Sequence, residues 1–309
     1  MEETIKFLKN IGSNKLGAIK SIKKLFGGTV NQTYKITSIN GEFVVRVNTI
    51  DQINVFKKEI YCYEVAKKLG IPSPEVIDLY ENSIHCVLTT KYIQGLSDKE
   101  IIEDKRSLVW RKLGEYSQLI SQIKELPYGD DAENISDAKS HYLNKMLSYS
   151  TEEFSNSNDY FIKNNLFNQS EVKRVINLLD TLKSELAKVD FGLIHGDLSL
   201  SNVVLNDKGG VYLIDWGCAK LSPVPDLPVM ELYLQSILKE SFQVEYIFEF
   251  LKGYGLDNNY IDKTRERLNA MSLLNFTDKI RWAVDNDKKE ALKKYKEKLE
   301  KTKHQLLMI

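Results

Sequence analysis

Three side chains in one stretch, LIHGDLSLSNVVLNDKGGVYLIDWG at residues 193–217, have the type and spacing for chemistry: Asp197, Asn202 five residues later, and Asp215 eighteen after Asp197. Apolar residues flank each of them, and a carboxylate taken out of water is costly unless it is paired or bound to a metal. Turns between strands also favour Asp and Asn for their local hydrogen bonds. The three are therefore either ordinary turn residues or oxygen ligands with a base. Upstream, LFGGTVNQTYKI carries Gly27 and Gly28, a turn at which backbone N–H groups can approach phosphate oxygens without a Cβ in the way. Arg46 follows in a strand-like run, and Glu59, an acid suited to hold that cation, in a helical one. Glycine turn, strand cation, helix acid, Asp-x4-Asn and a later Asp is an order that fits phosphoryl transfer from a nucleoside triphosphate, where catalysis is mostly positioning and charge neutralisation. In that chemistry Asp197 orients the substrate hydroxyl, and Asn202 and Asp215 bind the magnesium that bridges the phosphates and compensates the acids.

The elements that must position these groups follow from pattern. AIKSIKKLF and TYKITSI lead to Asn40-Gly41 and then EFVVRVN, a strong hairpin signal. Val55, Ile60, Tyr63 and Ala66 recur at helical spacing from about 51 to 69, and Gly70 and Pro72 stop the run. Two strands are expected near 75–80 and 84–92. After Gly95 the texture turns helical, at about 98–124, 136–150, 169–189 and 227–252, and a last amphipathic helix has apolar residues at 292, 295 and 299. STEEFSNSNDY at 150–160 is expected as a surface loop.

The 309 residues fit two lobes better than one core. Net charge is zero, with 43 basic and 43 acidic side chains, which argues against a bulk nucleic-acid partner. Cys62, Cys86 and Cys218 form no CxxC pair, so neither a disulfide framework nor a zinc site is expected. MEETIKFLKN lacks the basic and apolar pattern of a leader, and no apolar run is long enough to span a bilayer. A cytoplasmic protein without a membrane partner is expected.

With these motifs in place, residues 26–227 resemble the aminoglycoside phosphotransferase and choline kinase superfamily. The resemblance covers GGTVNQTY as the nucleotide loop, with Gly27, Gly28 and Asn31. It covers FVVRVN, with Arg46 where the family has Lys or Arg, and EIYCYEVAKKLGIPSPEV, with Glu59 as its partner. VLTTKYIQG is the hinge, where the backbone of Lys91 and Ile93 would read adenine while the Lys91 side chain points to solvent. HGDLSLSN is the catalytic loop, with His195 as scaffold, LIDWG is the metal motif, and PDL at 225–227 opens the next helix. The resemblance implies an α+β, bilobal, protein-kinase-like fold with a sheet-plus-helix lobe over 1–94 and a larger, mainly helical lobe over 95–309. It also implies ATP (GTP is compatible) and Mg2+ as cofactors. Many relatives carry an acid where Gly217 stands, which blurs the subfamily. Protein kinases share the fold, but no Arg separates His195 from Asp197, and the ten residues between Asp215 and Asp226 leave no room for a long activation segment.

The acceptor is thus expected to be a small molecule. Residues 190–280 hold 13 acidic against 8 basic side chains, which suits a cationic hydroxyl compound, and an aminoglycoside-type antibiotic leads. Glu231, Asp257 and Asp262 are the candidate carboxylates. A choline- or ethanolamine-type acceptor is the alternative, held by cation–π contact with Tyr254, Tyr260, Phe276 and Trp282. A nucleotide-binding pseudokinase is the non-catalytic one.

Overall fold

The computed structural model describes residues 7–8, 15–25, 32–150, 166–186, 188–239 and 242–307. Gly27, Gly28 and Asn31 of the expected nucleotide loop, and residues 151–160 of the expected surface loop, lie outside the described residues. Along the chain run β1 (Ile19–Lys24), β2 (Gln32–Ser38), β3 (Gly41–Thr49), α1 (Ile53–Lys68), β4 (Val76–Glu81), β5 (His85–Lys91), α2 (Glu103–Ile120), α3 (Ile135–Ser150) and α4 (Gln169–Leu186). Then come β6 (Asp190–Ile194), β7 (Val203–Leu205), β8 (Val211–Leu213), β9 (Lys220–Val224), α5 (Asp226–Leu238), α6 (Val244–Tyr254), α7 (Tyr260–Asp285) and α8 (Lys289–Leu307). The fold is α+β, a sheet-bearing N-terminal part and a helical C-terminal part. Packing groups Met1–Ile101 with Ser199–Ala219 as one unit, and Ile102–Leu198 with Lys220–Ile309 as the other. Sequence texture places a single boundary at 94/95. Segment 199–219 joins the first unit because Leu96 and Leu205 exchange backbone hydrogen bonds at 2.9 Å and the Leu213 N–H donates to the Pro72 carbonyl at 3.1 Å.

In the first unit five antiparallel strands pair in the order β1-β2-β3-β5-β4. Period-two alternation sets the two faces of β3. Phe43, Val45 and Val47 join Leu8, Leu16, Tyr34, Ile36 and Val87 in one apolar cluster. Arg46 has the opposite parity in β3, between Thr33 of β2 and Leu88 of β5. Helix α1 buries Phe56, Glu59, Tyr63 and Ala66 at three- and four-residue spacing, and Phe56 packs with Cys86 and Leu88. Each such apolar side chain contributes about 1.5–3 kcal/mol by leaving water, which fixes the helix and the acid it carries. Positive-φ Gly70 (φ 74) follows its end.

In the second unit β6 and β9 pair antiparallel, Ile194 opposite Lys220, and so fix the chain that enters the His195-Gly196 turn. The pattern expected as one helix over 227–252 is two, α5 and α6, broken after Leu238. Helix α7, 26 residues long, had no counterpart among the expected elements. Its residues 268–274 are buried without interruption, so no polar face marks a helical period. Helix α8 buries Leu299, Thr302, Leu306 and Leu307, and it packs on α5 and α7.

Candidate active site

Arg46 is the centre of the site in the first unit. Its Nη2 lies 2.5 Å from Glu59 Oε2, and its Nη1 lies 3.4 Å from Asp215 Oδ1. Glu59, with 1% of its side chain exposed, also accepts the Tyr63 hydroxyl at 2.7 Å and the Trp216 N–H at 3.3 Å. Those three partners of Glu59 come from β3, α1 and the segment after β8, so one buried carboxylate ties the sheet, the helix and the LIDWG motif together. Burial by itself weakens the hold of Arg46 on its proton, but the charge of Glu59, followed by Tyr63 and Asp215, more than offsets this and pushes its pKa above the ordinary arginine range. The Tyr63 hydroxyl is pushed up as well, by burial first and then by Glu59. The Phe56 ring completes the surroundings at 5.4 Å from the guanidinium carbon.

Asp215 adopts a left-handed backbone (φ 61, ψ 67) that aspartate tolerates better than most residues. Its N–H donates to the Tyr63 hydroxyl at 3.3 Å. The side chain is 52% exposed. Asn202 is buried at the end of a single 3-10 turn, and its carbonyl accepts the Ile214 N–H at 3.0 Å, which anchors the chain next to Asp215. An amide oxygen and a half-exposed carboxylate are hard oxygen donors of the kind that bind Mg2+ alongside phosphate oxygens, so the residues present fit this ion. No group of three or more His, Cys, Asp or Glu suited to a metal occurs among the described residues. A Cβ at Gly217 would meet Asp215 Oδ1 at 3.5 Å and Val55 at 3.6 Å, ordinary contacts, so the glycine is not sterically required there.

In the second unit Asp197 follows β6 through His195 and Gly196, whose φ of 79 makes the turn. His195 is 1% exposed, and its Nδ1 accepts the Asp197 N–H at 3.3 Å, which suits a scaffold. The Asp197 side chain faces solvent. Asp197 and Asp215, expected to be buried by their apolar flanks, are instead exposed: neighbouring Leu198 and Trp216 take the interior while the carboxylates stay in solvent. Asp226 of PDL is the deeply buried acid, 1% exposed, held by Arg267 at 2.7 and 3.1 Å and by the Tyr260 hydroxyl at 2.5 Å. A cavity of about 260 Å³ borders this network.

Among the hinge residues, the Lys91 side chain is 65% exposed. Its N–H donates to the Glu75 carbonyl at 2.8 Å, and the Tyr92 N–H to the Glu42 carbonyl at 3.0 Å. Any contribution of Lys91 to a nucleotide must then come from its carbonyl, with the Ile93 N–H as donor. Of the three carboxylates expected at the acceptor, Asp257 is taken by Lys263 at 3.1 Å and Asp262 by Arg265. Glu231 differs. Burial, opposed by Lys220 and Lys279 and aided by Asp197, pushes its carboxyl up to about 7. The four aromatic residues also have separate places: Phe276 is in the core, Tyr260 binds Asp226, the Tyr254 ring lies 6.1 Å from that of Phe250, and Trp282 is half exposed. Tyr63 was missed by sequence reasoning, although its position four residues after Glu59 on one helix was a usable signal.

A strand arginine clamped by a helix acid and an Asn–Asp pair of oxygen donors in the first unit, and an Asp on the His-Gly turn of the second, are side chains of the types that phosphoryl transfer uses. The sequence model of the phosphotransferase enzyme family matches residues 21–260, and the chain belongs to that family. Among solved structures it is similar to aminoglycoside phosphotransferase APH(4)-Ia, with 14% identity over 98% of each chain and a TM-score of 0.68. It is also similar to APH(2")-IIa, solved with gentamicin, with 16% identity over 99% of this chain and 98% of that one and a TM-score of 0.64. Choline kinase LicA from Streptococcus pneumoniae has 20% identity over 96% of this chain and 99% of that one, with a TM-score of 0.60. A thermostable mutant of APH(4)-Ia is also known in a ternary complex with AMP-PNP and hygromycin B. No curated protein sequence matches this chain. No helix among the described residues is long and apolar enough to cross a membrane.

Proposed function

We propose that this chain transfers the γ-phosphate of ATP to a hydroxyl of a small acceptor that carries a cationic group. The observation that carries the reading is Arg46, held by Glu59 at 2.5 Å with Asp215 at 3.4 Å: a phosphate-binding cation fixed beside a metal-binding carboxylate. The Asp197 carboxylate accepts the hydrogen bond of the acceptor O–H, aims its oxygen at the γ-phosphorus, and takes up the proton as the new O–P bond forms and the bond to ADP breaks. Arg46 holds phosphate oxygens, and the Lys91 carbonyl and Ile93 N–H orient the base. Asn202 and Asp215 would hold Mg2+, which would supply positive charge beside the phosphate oxygens.

Two acceptor types fit a cationic group, an aminoglycoside and a single-charge amino alcohol such as choline or ethanolamine. One observation favours the second. Asp257 and Asp262 pair with Lys263 and Arg265 on the surface, and Glu231 has Lys220 and Lys279 beside it, so each candidate acid already faces a cation, which suits a single-charge acceptor better than a polycation. The test is a phosphorylation screen with ATP and GTP over aminoglycosides, macrolides, amino alcohols and sugars, run beside Asp197→Ala. Turnover should fall by about 10²–10⁴ while nucleotide still binds. Near-normal turnover of the variant would sink the assignment, and nucleotide binding without any turnover in the unaltered chain would favour a pseudokinase.

A further inference from the structure

Tyr92 stands between the two backbone groups assigned to the nucleotide base. The Lys91 carbonyl belongs to the peptide group before its Cα and the Ile93 N–H to the one after, so the φ and ψ of Tyr92 set their relative direction. Tyr92 lies one residue past the end of β5, so the strand ladder alone does not fix it. Its N–H donates to the Glu42 carbonyl of β3 at 3.0 Å. The N–H and C=O of one trans peptide point opposite ways, so this bond turns the Lys91 carbonyl away from β3. The Tyr92 ring in turn carries the Lys35 ammonium, 3.6 Å from its centroid. Lys35 is itself held: its Nζ lies 2.8 Å from Glu42 Oε1, an oxygen that also accepts the Thr37 hydroxyl at 3.4 Å.

Strand register explains why these groups meet. Lys35 of β2 lies opposite Val44 of β3, and Val44 lies opposite Thr90 of β5. Directly paired residues share a sheet face and parity alternates along a strand, so Lys35, Glu42, Val44, Arg46 and Thr90 belong to one face. Phe43 and Val45 belong to the other, with the apolar cluster. The face that carries the Arg46 clamp therefore carries a second cation, and this one rests on the hinge. A cation over an aromatic face is attracted by the ring quadrupole, more strongly as water is removed. With 21% of its side chain exposed, Lys35 is largely out of water.

We propose that Lys35 is a positioning residue for the nucleotide: seated on the Tyr92 ring and paired with Glu42, it fixes the hinge peptide groups that read adenine. This rests on the reading of the Lys91 carbonyl and the Ile93 N–H as the base-binding groups.

Calorimetry on the full chain with Mg2+ compares two probes, AMP-PNP and inorganic tripolyphosphate, which has a chain of phosphates but no base. Lys35→Met and Tyr92→Leu should each weaken AMP-PNP about three- to tenfold, the size of a partly desolvated cation–π contact, and leave tripolyphosphate unchanged. Lys35→Arg and Tyr92→Phe keep the cation and the ring, and should bind AMP-PNP as the unaltered protein does. The double variant Lys35→Met/Tyr92→Leu should lose no more than one single, since both remove the same contact. In kinetics the KM of ATP should rise while turnover at saturating ATP holds, and circular dichroism verifies folding. Unchanged AMP-PNP affinity in Lys35→Met overturns the proposal. An equal loss for tripolyphosphate also overturns it, because Lys35 would then act on the phosphates and not through the hinge. Additive losses in the double variant refute the route through Tyr92. Ile93→Pro separates this inference from the reading beneath it: if Ile93→Pro weakens AMP-PNP and Lys35→Met does not, the hinge reads the base and Lys35 alone is wrong. If neither variant weakens it, the base is read elsewhere and both fall.

Discussion

Replacing Glu59 by Gln keeps the shape of the side chain but removes its charge, and the cost follows from what remains around Arg46. A Gln carbonyl still accepts the Tyr63 hydroxyl and the Trp216 N–H, so both hydrogen bonds survive. The guanidinium, 11% exposed, loses the carboxylate at 2.5 Å and keeps Asp215 at 3.4 Å, a half-exposed and therefore screened partner. Breaking a buried pair by removing one member costs about 3–5 kcal/mol, and the residual help from Asp215 puts Glu59→Gln near the lower end. Arg46→Met is the harsher change. It leaves Glu59, 1% exposed, with two neutral donors and no cation, so its loss belongs near the upper end of the same range.

Removing both charges should be milder than either alone, because an apolar replacement of a buried pair is often close to neutral. Urea unfolding midpoints at constant slope measure all three variants. Both singles should unfold at clearly lower urea and the double variant should recover much of the loss, while activity stays lost in each protein without the cation. If either single costs under about 1 kcal/mol, or the double loses the sum of the two, the pair is not the buried, mutually compensating unit described here.

Asp215→Asn should remove the Mg2+ dependence of nucleotide affinity with little change in fold, since Asn also tolerates the left-handed backbone at this position; an unaltered metal titration would count against the ligand assignment. At the hinge, Lys91→Ala should change nucleotide affinity little, because that side chain is in solvent, whereas Ile93→Pro deletes a donor and should weaken binding strongly; the reverse pattern moves the adenine site elsewhere. Glu231 has its pKa raised from 4.5 to about 7, so between those values the folded chain holds a proton that the unfolded chain has released. Its stabilising effect is present below pH 4.5 and is lost as pH rises through 7, and Glu231→Gln should flatten that part of a urea-midpoint profile; an unchanged slope refutes the placement.

Local signals carried much of the fold. The Asn40-Gly41 turn, the alternation through Phe43, Val45 and Val47, and the helical spacing that ends at Gly70 each act within a few residues, and the strands and helix they forecast are present. The pairing of Arg46 with Glu59 was legible because a cation and an acid on successive elements have few other partners. Long-range features were not. Residues 268–274 of α7 are surrounded by other elements, so the helix lacks the polar face that period detection needs. The attachment of 199–219 to the first unit depends on Leu96 and Leu205, residues without any distinctive type.

Glu59 and Asp215 share one arginine and show how burial divides structural from chemical work. Glu59 is buried with Arg46, the Tyr63 hydroxyl and the Trp216 N–H around it, so it cannot serve a metal without dismantling the junction it holds. Asp215 meets Arg46 at the longer distance of 3.4 Å and keeps about half its side chain in solvent, so its oxygens remain accessible to an ion. Desolvating a carboxylate is tolerable only when it is fully paired, and full pairing removes it from catalysis. An acid meant to bind magnesium must therefore stay near the surface, and the rigidity it needs has to come from its backbone. At Asp215 that rigidity comes from the N–H donated to Tyr63, itself bonded to Glu59. The buried acid positions the exposed one through a tyrosine. Tyr63→Phe should accordingly leave the Arg46–Glu59 pair in place yet weaken Mg2+-dependent nucleotide binding; unchanged metal affinity in that variant would mean that Asp215 is positioned by other contacts.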